Sequence, residues 1–465
     1  MKTTACPSFF FDPAVNRREF LRAGALSLFG LGLPQMVQAQ NNGRPKRAKA
    51  CILLFMWGGP AQQDTWDMKP DAPADYRGEF RPIATTVPGL QICEHLPRLA
   101  QRAHQLSLIR SMTHNNVDHT KATHFLLTGK PPPVGAMSDD WPSYGAILSK
   151  LGRGHGPLPP FVSMMPVVPN GSPRFVEQSH GQGAGWLGPV YNPMRIDADA
   201  SLPDYRVADF ALSAELTPLR AGGRQQLLRT LDQQVRRLEA QAQLHAMQTH
   251  YERAFSLLAA PEVTRAFDLS QESPSLRERY GMNIHGQSVL QARRLVEAGV
   301  PIVTVFWPND GITNVSVYWD THNRNFIDLR ERLCPVTDRA FSALLDDLDQ
   351  RGMLDETLVV WTGEMGRTPR VGQSVVGGAG AGRDGRDHWG QVFTSVLAGG
   401  GVRGGAIHGS SDRYAAEPAT NATQPADLAA TIYQCLGVDP SMEIRDRLDR
   451  PVTLCDGQVI TPLLR

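Results

Sequence analysis

The chain has 465 residues, 41% of them hydrophobic and 20% charged, and its formal net charge is +1. This composition is typical of a soluble globular protein, and the length suits one large α/β domain or two ordinary ones. Because the charges balance and the one basic cluster is the short stretch Gly43 to Lys49, we expect no nucleic-acid partner.

Residues 1–39 have the pattern of a bacterial export signal. The paired arginines Arg17 and Arg18 precede an apolar run from about Ala23 to Leu33. That run is too short and too rich in glycine to cross a bilayer, and small residues close the segment. We therefore predict a twin-arginine signal read by the Tat export machinery, a periplasmic or extracellular location, and no stable transmembrane span. A cytosolic amphipathic tail and an uncleaved membrane anchor are the alternatives.

After a predicted polar linker, residues 40–49, the chain opens with a buried strand. Ala50 to Trp57 is a continuous apolar run that ends at glycines and a proline, as expected for a strand covered on both faces. A turn-rich segment follows, and we then predict a helix around His95 to His104 and a short strand, LSLIRSM.

The middle of the chain differs in amino-acid composition from its two ends. Residues 131–222 are rich in proline and glycine, and we predict loops that lie over the active face and shape a substrate pocket. Residues 224–259 show apolar spacing typical of one long helix.

The remaining elements alternate between helices and strands. In order they are SVLQARRLVEAG (helix), PIVTVFW (strand), PVTDRAFSALLDDLDQRG (helix), TLVVWTGE (strand), QVFTSVLAG (strand) and PADLAATIYQCLG (helix). This alternation predicts an α/β fold with a mainly parallel sheet covered by helices on both faces. A single domain over residues 50–465, with insertions, is the simplest organisation.

Acids and histidines collect in five groups beside the predicted strands. The groups are Asp64 with Asp67; His114, His119 and His124; Asp320 with His322; Glu364; and Asp387 with His388. The carboxyl ends of parallel strands meet at one edge of a sheet, so four groups converge there, and the loop carrying the fifth can fold over the same edge.

This mixture of side chains predicts a divalent metal site. Carboxylates together with imidazoles suit Zn, Mn or Fe, while Ca and Mg, which prefer oxygen ligands, stay open as alternatives. The predicted ligands are Asp64, His114, His119, Asp320, His322, Glu364, Asp387 and His388.

Each group also has a plain structural interpretation. Asp64 and Asp67 can cap a following turn, and the acid–histidine pairs in WDTH and GRDHW can lie in exposed turns. Their joint placement beside the strands favours the metal site.

The three histidines of the second group cannot all bind one ion from a regular helix, because steps of five residues turn them about 140° apart. We expect His114 and His119 in a loop and a helix that begins near Thr120, with His124 one turn in. Asp118 or Thr120 would then cap the helix.

Two stretches resemble a known superfamily. TLVVWTGEMGRTPR is similar to the strand-plus-acid segment of the alkaline phosphatase and sulfatase superfamily. HTKATHFLLTGKPP is similar to the sulfatase signature, in which the nucleophile begins a helix that ends in a Leu-Leu-Thr-Gly-Arg turn.

From Arg17 to Gly437 the chain resembles Tat-exported, sulfatase-like bacterial proteins of a family of unknown function. The likeness is carried by RREFLRAGA, GGPAQQDTWDMKPDAPADYRGEF, ARRLVEAGV, WDTH, GEMGRTP, GRDHW and DLAATIYQCLG. It implies a three-layer α/β/α fold of the alkaline phosphatase and sulfatase type. It also implies a metal-dependent hydrolase of sulfate or phosphate esters, with carbohydrate sulfates as one substrate class.

The sequence departs from the sulfatase signature at the nucleophile. The nucleophile position falls on His119, not on the Cys or Ser that becomes formylglycine, and Lys121 and Thr123 replace the Pro and Arg of the signature. Formylglycine chemistry is therefore not expected. The attacking group would be Thr120, at the start of the helix, or a water activated by the metal.

The resemblance gives each candidate residue a role. Asp64, Glu364, Asp387 and His388 would hold one cation and Asp320, His322 and His119 a second, or all of them would share one ion. Lys121, Arg367 and Arg386 would neutralise the anion, and His124 would protonate the leaving oxygen.

A second hypothesis is a catalytically degenerate superfamily member that acts as a binding or assembly protein, as the histidine at the nucleophile position suggests. The sequence shows no haem, iron–sulfur or dinucleotide signature and so does not support an electron-transfer role.

Overall fold

The computed structural model describes residues 48–154, 157–166, 174–203, 205, 261–312, 315–316 and 318–465. The predicted signal (1–39) and helix (224–259) lie outside these residues, as do most of the linker and part of the loop-rich region. Among the described helices, none combines the length and the hydropathy that crossing a membrane requires.

Most strands of the described chain are short. They are β1 Ala50–Phe55, β2 Pro82–Ala84, β3 Gln91–Cys93, β4 Leu106–Met112, β5 Phe161–Met164, β6 Met194–Ile196, β7 Ile302–Phe306, β8 Thr357–Thr362, β9 Gly366–Arg367, β10 His388–Trp389, β11 Phe393–Ala398, β12 Ile407–His408, β13 Ser410–Ser411, β14 Pro418–Thr420, β15 Glu443–Arg445 and β16 Pro451–Thr453.

The described α-helices range from one turn to almost five. They are α1 Ala74–Arg77, α2 Pro97–Ala100, α3 His119–Thr128, α4 Tyr144–Lys150, α5 Arg174–Gln178, α6 Pro261–Phe267, α7 Pro274–Tyr280, α8 Ile284–Glu297, α9 Asn325–Asp328, α10 Cys334–Gln350 and α11 Pro425–Cys435. The helix predicted around His95 to His104 is only α2 and a separate 3-10 turn, Ala103–Gln105.

Eight strands form the central sheet, in the order β12-β4-β11-β8-β1-β7-β5-β6. β1 pairs in parallel with β7 and β8, and β5 pairs in parallel with β6 and β7. β11 runs antiparallel to both of its neighbours, β4 and β8. The predicted mainly parallel α/β sheet is therefore confirmed, with one reversed strand.

The sheet is covered on both faces. Every residue of β1, β7, β8 and β11 is buried, and successive side chains of a strand point to opposite faces. Helices α8 and α10 pack against each other with α7, while α3 packs on α11, and α4 packs on β5 and β7.

The reversed strand β11 explains why the segment GRDHW lies at the edge of the sheet where the parallel strands have their carboxyl ends. β1, β7 and β8 end at that edge, with Phe55 beside Phe306 and Thr362. Because β11 is antiparallel, it begins there, with Phe393 paired to Met112 at the end of β4. The segment that leads into β11 therefore lies above the same edge.

Candidate metal centre

The four ligand candidates come from three segments that meet at this edge. His119 is the first residue of α3, which follows β4. Asp320 and His322 lie in the loop after β7, and His388 lies in β10, just before β11.

Three imidazoles converge on a single carboxylate oxygen. Asp320 Oδ1 lies 2.9 Å from His322 Nε2, 3.3 Å from His388 Nε2 and 3.4 Å from His119 Nε2. The three histidine side chains are 8–13% exposed, and that of Asp320 is 24% exposed. The cluster is thus enclosed but open to solvent on the side of Asp320.

Each of these imidazoles has an acceptor on its outer nitrogen, Nδ1. His119 Nδ1 lies 2.6 Å from Glu364 Oε1, His322 Nδ1 lies 2.5 Å from the carbonyl of Gly380, and His388 Nδ1 lies 2.7 Å from the carbonyl of Val117. An Nδ1–H that donates outward leaves the lone pair of Nε2 facing the cluster, which is how metal-binding histidines are held.

The spacing of two rings also fits a cation. His322 Nε2 and His388 Nε2 lie only 3.0 Å apart, and two lone pairs at that distance repel unless a proton or a metal ion lies with them. The atoms of His119, Asp320 and His388 fall within 4.8 Å of one another, the size of a metal site. Three imidazoles and one carboxylate form a donor set that suits Zn, Mn or Fe better than Ca or Mg.

Charge and hydrogen bonding tune the cluster. Burial works against the charged carboxylate of Asp320, but Arg367 and the three histidines outweigh it and hold its pKa well below the usual range. Burial also opposes a charge on His119, yet hydrogen bonds to Asp320 and Glu364 raise its pKa to about 9. Burial lowers the pKa of His388.

Arg367 is a buried cation fixed beside the cluster. Its Nε donates to Gly59 O at 3.0 Å and its Nη1 to Arg386 O at 3.2 Å, and its Nη2 donates to both Gly58 O and Asp320 Oδ1. Since protein acceptors already take these donors, Arg367 keeps Asp320 ionised and does not reach out to a substrate anion.

Asp64 and Arg386, which the sequence places in the site, pair with each other. Arg386 Nε and Nη2 donate to the two oxygens of Asp64 at 2.7 and 3.0 Å, and both side chains are fully buried. Asn325 donates to the same carboxylate. This pair supports the site from beneath, so Asp64 is not brought to the cluster and Arg386 is not available to an anion.

His114 likewise stays outside the cluster. Its Nδ1 accepts from the backbone N–H of Asn116 at 3.1 Å, and its Nε2–H donates to the carbonyl of Glu364 at 2.6 Å. With both ring nitrogens used, His114 braces the loop after β8.

Asp387 lies in an outer position. Its oxygens accept the backbone N–H groups of Val375, Gly380 and His388, and Oδ1 lies 3.5 Å from His322 Nδ1. Although His322, Asp387 and His388 also come within metal-site distances of one another, this carboxylate already accepts three backbone N–H groups. It is better suited to orient His322 than to bind the ion.

The remaining residues of the predicted machinery lie along α3. Asp118 is the N-cap, accepting from the backbone of Thr120 and Lys121, and the Thr120 hydroxyl donates to it at 2.5 Å. Lys121 is exposed and, two positions on, turns about 200° away from His119.

His124 is a structural histidine, not an acid. Its Nδ1 lies 2.9 Å from the carbonyl of Lys130, and its Nε2 accepts from the backbone of Trp141 at 3.1 Å. Burial lowers its pKa to about 4. The ring is therefore neutral and bound on both sides, and the expected role as a proton donor does not fit.

Backbone groups that no sequence motif predicts complete the site. The carbonyls of Val117 and Gly380 orient two histidines, and the Gly58–Gly59 turn contacts Glu364 and Arg367. Of these groups, only the glycine doublet after β1 is visible in the sequence, because both glycines have positive φ, 99° and 82°, which favours glycine.

A family model described as "Protein of unknown function (DUF1501)" matches residues 48–464. No curated protein matches the chain significantly.

Solved structures of low identity also match. The PsFucS1 sulfatase from Pseudoalteromonas sp. is 14% identical, with 92% of this chain and 73% of that chain covered at a TM-score of 0.36. A protein in the alkaline phosphatase superfamily from Vibrio parahaemolyticus is 11% identical, with 90% and 71% covered and a TM-score of 0.39. The phosphonate monoester hydrolase SpPMH from Silicibacter pomeroyi is 13% identical, with 89% and 76% covered and a TM-score of 0.33. Similarity at this level leaves the chemistry to be argued from the site.

Proposed function

The chain belongs to the DUF1501 family of proteins of unknown function, and we propose that it is a metal-dependent hydrolase of sulfate or phosphate esters. One observation carries the proposal. Three imidazoles, each donating through Nδ1 to an outer acceptor, direct Nε2 at Asp320 Oδ1. Such an arrangement is costly to assemble and has an obvious use as a binding site for a divalent cation.

The residues that would hold the ion are His119, Asp320, His322 and His388. A bound Zn, Mn or Fe would act as a Lewis acid on a sulfuryl or phosphoryl oxygen and lower the pKa of water. Imidazole-rich ligation favours these metals over Ca and Mg.

The charge of the site favours an anionic substrate. A divalent ion bound here would displace the proton of His119, and three neutral imidazoles with one carboxylate would then leave the ion with net positive charge, to which the fixed guanidinium of Arg367 adds. Asp320, at 24% exposure the most accessible member, marks the side from which an ester and a water molecule would enter. A tetrahedral oxyanion ester fits this electrostatic setting.

The proposed nucleophile is water. His119 takes the position of the sulfatase nucleophile, and its Nε2 faces Asp320. The Thr120 hydroxyl donates to Asp118, so it is occupied at the helix cap.

The test is to purify the native protein, measure its metal content by mass spectrometry, and assay nitrophenyl sulfate and nitrophenyl phosphate. We expect close to one transition metal ion per chain or more, and ester hydrolysis that is lost in Asp320→Ala while circular dichroism shows the fold intact. A protein that is metal-free after purification and does not take up Zn, Mn or Fe on reconstitution would remove the proposal.

The alternative is a degenerate superfamily member that binds an ester or a partner protein without turning it over, and the histidine at the nucleophile position favours it. It predicts bound metal but no hydrolysis of either nitrophenyl ester. Activity that depends on Asp320 excludes it.

We also propose that the protein acts in the periplasm or outside the cell, on the basis of Arg17, Arg18 and the apolar run that follows them. Fractionation of cells that express the full chain should recover it outside the cytoplasm, and replacing both arginines by lysine should retain it inside. Equal recovery of the variant and the unchanged chain outside the cytoplasm would contradict a twin-arginine route.

A further inference from the structure

We propose that Glu364 is a positioning residue that acts on the metal through His119 and is not itself a ligand. The sequence pattern, an acid directly after a buried strand, predicts a ligand at this position. The inference rests on the proposed metal site and concerns how that site is built.

Glu364 directs one oxygen at two donors. Oε1 accepts from the backbone N–H of Gly58 at 2.8 Å and lies 2.6 Å from His119 Nδ1. The side chain is fully buried. Its carboxylate is thus held on the outer side of the imidazole, opposite the Nε2 that faces Asp320.

The second oxygen of Glu364, Oε2, does not share the charge of the carboxylate with any described donor. Oε2 is buried and has no hydrogen-bond partner among the described residues. A buried carboxylate is costly unless its charge is compensated, and here Oε1 makes the described hydrogen bonds. His119 and the Gly58 N–H therefore carry most of that compensation, which couples the position of Glu364 tightly to the ring.

His119 differs in this respect from the other two imidazoles. His322 and His388 donate to neutral carbonyls, those of Gly380 and Val117, and Asp387 approaches His322 only to 3.5 Å. His119 alone of the three has a carboxylate within 2.6 Å of Nδ1. A carboxylate partner fixes the tautomer and makes the ligating nitrogen more basic.

The consequence is a graded effect on metal affinity. In Glu364→Gln the amide oxygen can still accept from Gly58 and His119, so the geometry stays but the negative charge is lost. In Glu364→Ala the acceptor is gone and the ring of His119 can rotate. Outer partners of this kind typically contribute about 10–100-fold in metal affinity.

The experiment measures Co²⁺ and Zn²⁺ affinity by competition with a chromophoric chelator, and the visible spectrum of the Co²⁺ protein. The variants are Glu364→Gln, Glu364→Ala and His119→Ala. Asp338→Asn is the matched control, since Asp338 is another buried carboxylate that accepts two backbone N–H groups, from Arg98 and Leu99.

We expect about a 10-fold loss of affinity in Glu364→Gln with the Co²⁺ spectrum retained, and about a 100-fold loss in Glu364→Ala. Asp338→Asn should match the wild type, and His119→Ala should lose more affinity than either Glu364 variant, with a changed spectrum.

Two results would overturn the inference. Wild-type affinity in Glu364→Gln would show that the carboxylate does not act on the ring. A loss and a spectral change as large as those of His119→Ala would make Glu364 a direct ligand. If the wild type binds neither ion, the proposed function fails instead, so the two failures are distinguishable.

Discussion

At the scale of single residues, the hydrogen bonds of each histidine decide its role. His119, His322 and His388 donate outward through Nδ1 and keep Nε2 for the cluster. His114 and His124 use both ring nitrogens on backbone groups. His119, a proposed ligand, therefore lies five residues from each of the structural histidines His114 and His124. This equal spacing does not distinguish the ligand from the other two.

Thr120→Val tests the nucleophile. We expect metal content to stay unchanged and kcat/KM on nitrophenyl esters to fall by no more than about tenfold, the scale of one lost hydrogen bond. The helix cap survives because the backbone N–H of Thr120 still donates to Asp118 at 2.8 Å. Thr120→Ser is the control. A loss on the order of 10⁴-fold in the valine variant, with metal retained, would make Thr120 the nucleophile.

Burial of His285 makes the free energy of unfolding depend on pH. This ring is buried against Trp307, with 4.4 Å between ring centroids, and burial lowers its pKa to about 3. The unfolded chain, with a pKa near 6.5, binds the proton more readily, so acid favours unfolding. The contribution is fully present above about pH 6.5 and is lost as pH falls towards 3.

In urea titrations between pH 7 and pH 4, His285→Leu should therefore lose less stability than the wild type. The difference should approach about 1.4 kcal/mol per pH unit at most. His104→Leu, at an exposed position, should follow the wild type. Parallel curves for the wild type and His285→Leu would contradict the prediction.

At the scale of elements, the turn after β1 organises the site. The N–H of Gly58 holds Glu364, and the carbonyls of Gly58 and Gly59 hold Arg367. The loop that carries Asp320 packs so closely on the turn that a Cβ at position 58 would lie 2.3 Å from the Asp320 nitrogen. A short turn thus sets the position of three functional side chains.

Gly58→Ala should consequently weaken metal binding as well as folding. Alanine is strained at a φ of +99° and would push the Asp320 backbone away. Gly89→Ala is the matched control, because Gly89 has a φ of +81° with nothing within 4 Å of its added Cβ. We expect the control to lose about 1–2 kcal/mol of stability and to keep its Zn²⁺ affinity. Equal Zn²⁺ affinity in both variants would disprove the role of the turn.

At the scale of the whole molecule, the sheet assembles residues that are distant along the chain. Gly58 and Glu364, which hydrogen-bond, are separated by 306 positions. The four proposed ligands come from three segments: the start of α3, the loop after β7, and β10. An ion bound by all four would link these segments. Binding that requires the folded arrangement stabilises the native state.

Removing the metal should therefore lower the thermal stability. A ligand at 100 times its Kd adds about 2.7 kcal/mol, which corresponds to a Tm shift of about 3 °C in a domain of roughly 400 residues, whose entropy of unfolding is about 0.9 kcal/mol/K. Scanning calorimetry with and without a chelator measures this shift. Asp320→Ala should unfold at a temperature that the chelator does not change. A wild-type Tm unaffected by chelation would contradict a bound structural or catalytic ion.

The α/β class, and the sheet edge at which the acids and histidines collect, can be predicted from the sequence alone. A strand covered on both faces is a continuous apolar run, which is visible in the sequence. Parallel strands bring their carboxyl ends together, so the residues that follow such runs are expected at one edge of the sheet. Asp320, His322 and His388 follow or precede such strands, which is why the sequence brings them to one place.

Which of the candidate residues form the cluster depends on the three-dimensional fold. The direction of β11, the pairing of Asp64 with Arg386 and the acceptor on each histidine Nδ1 all depend on contacts between segments far apart in the chain. The tautomer of each histidine follows from the backbone carbonyl or carboxylate that the fold places beside its Nδ1, and no residue spacing encodes that partner.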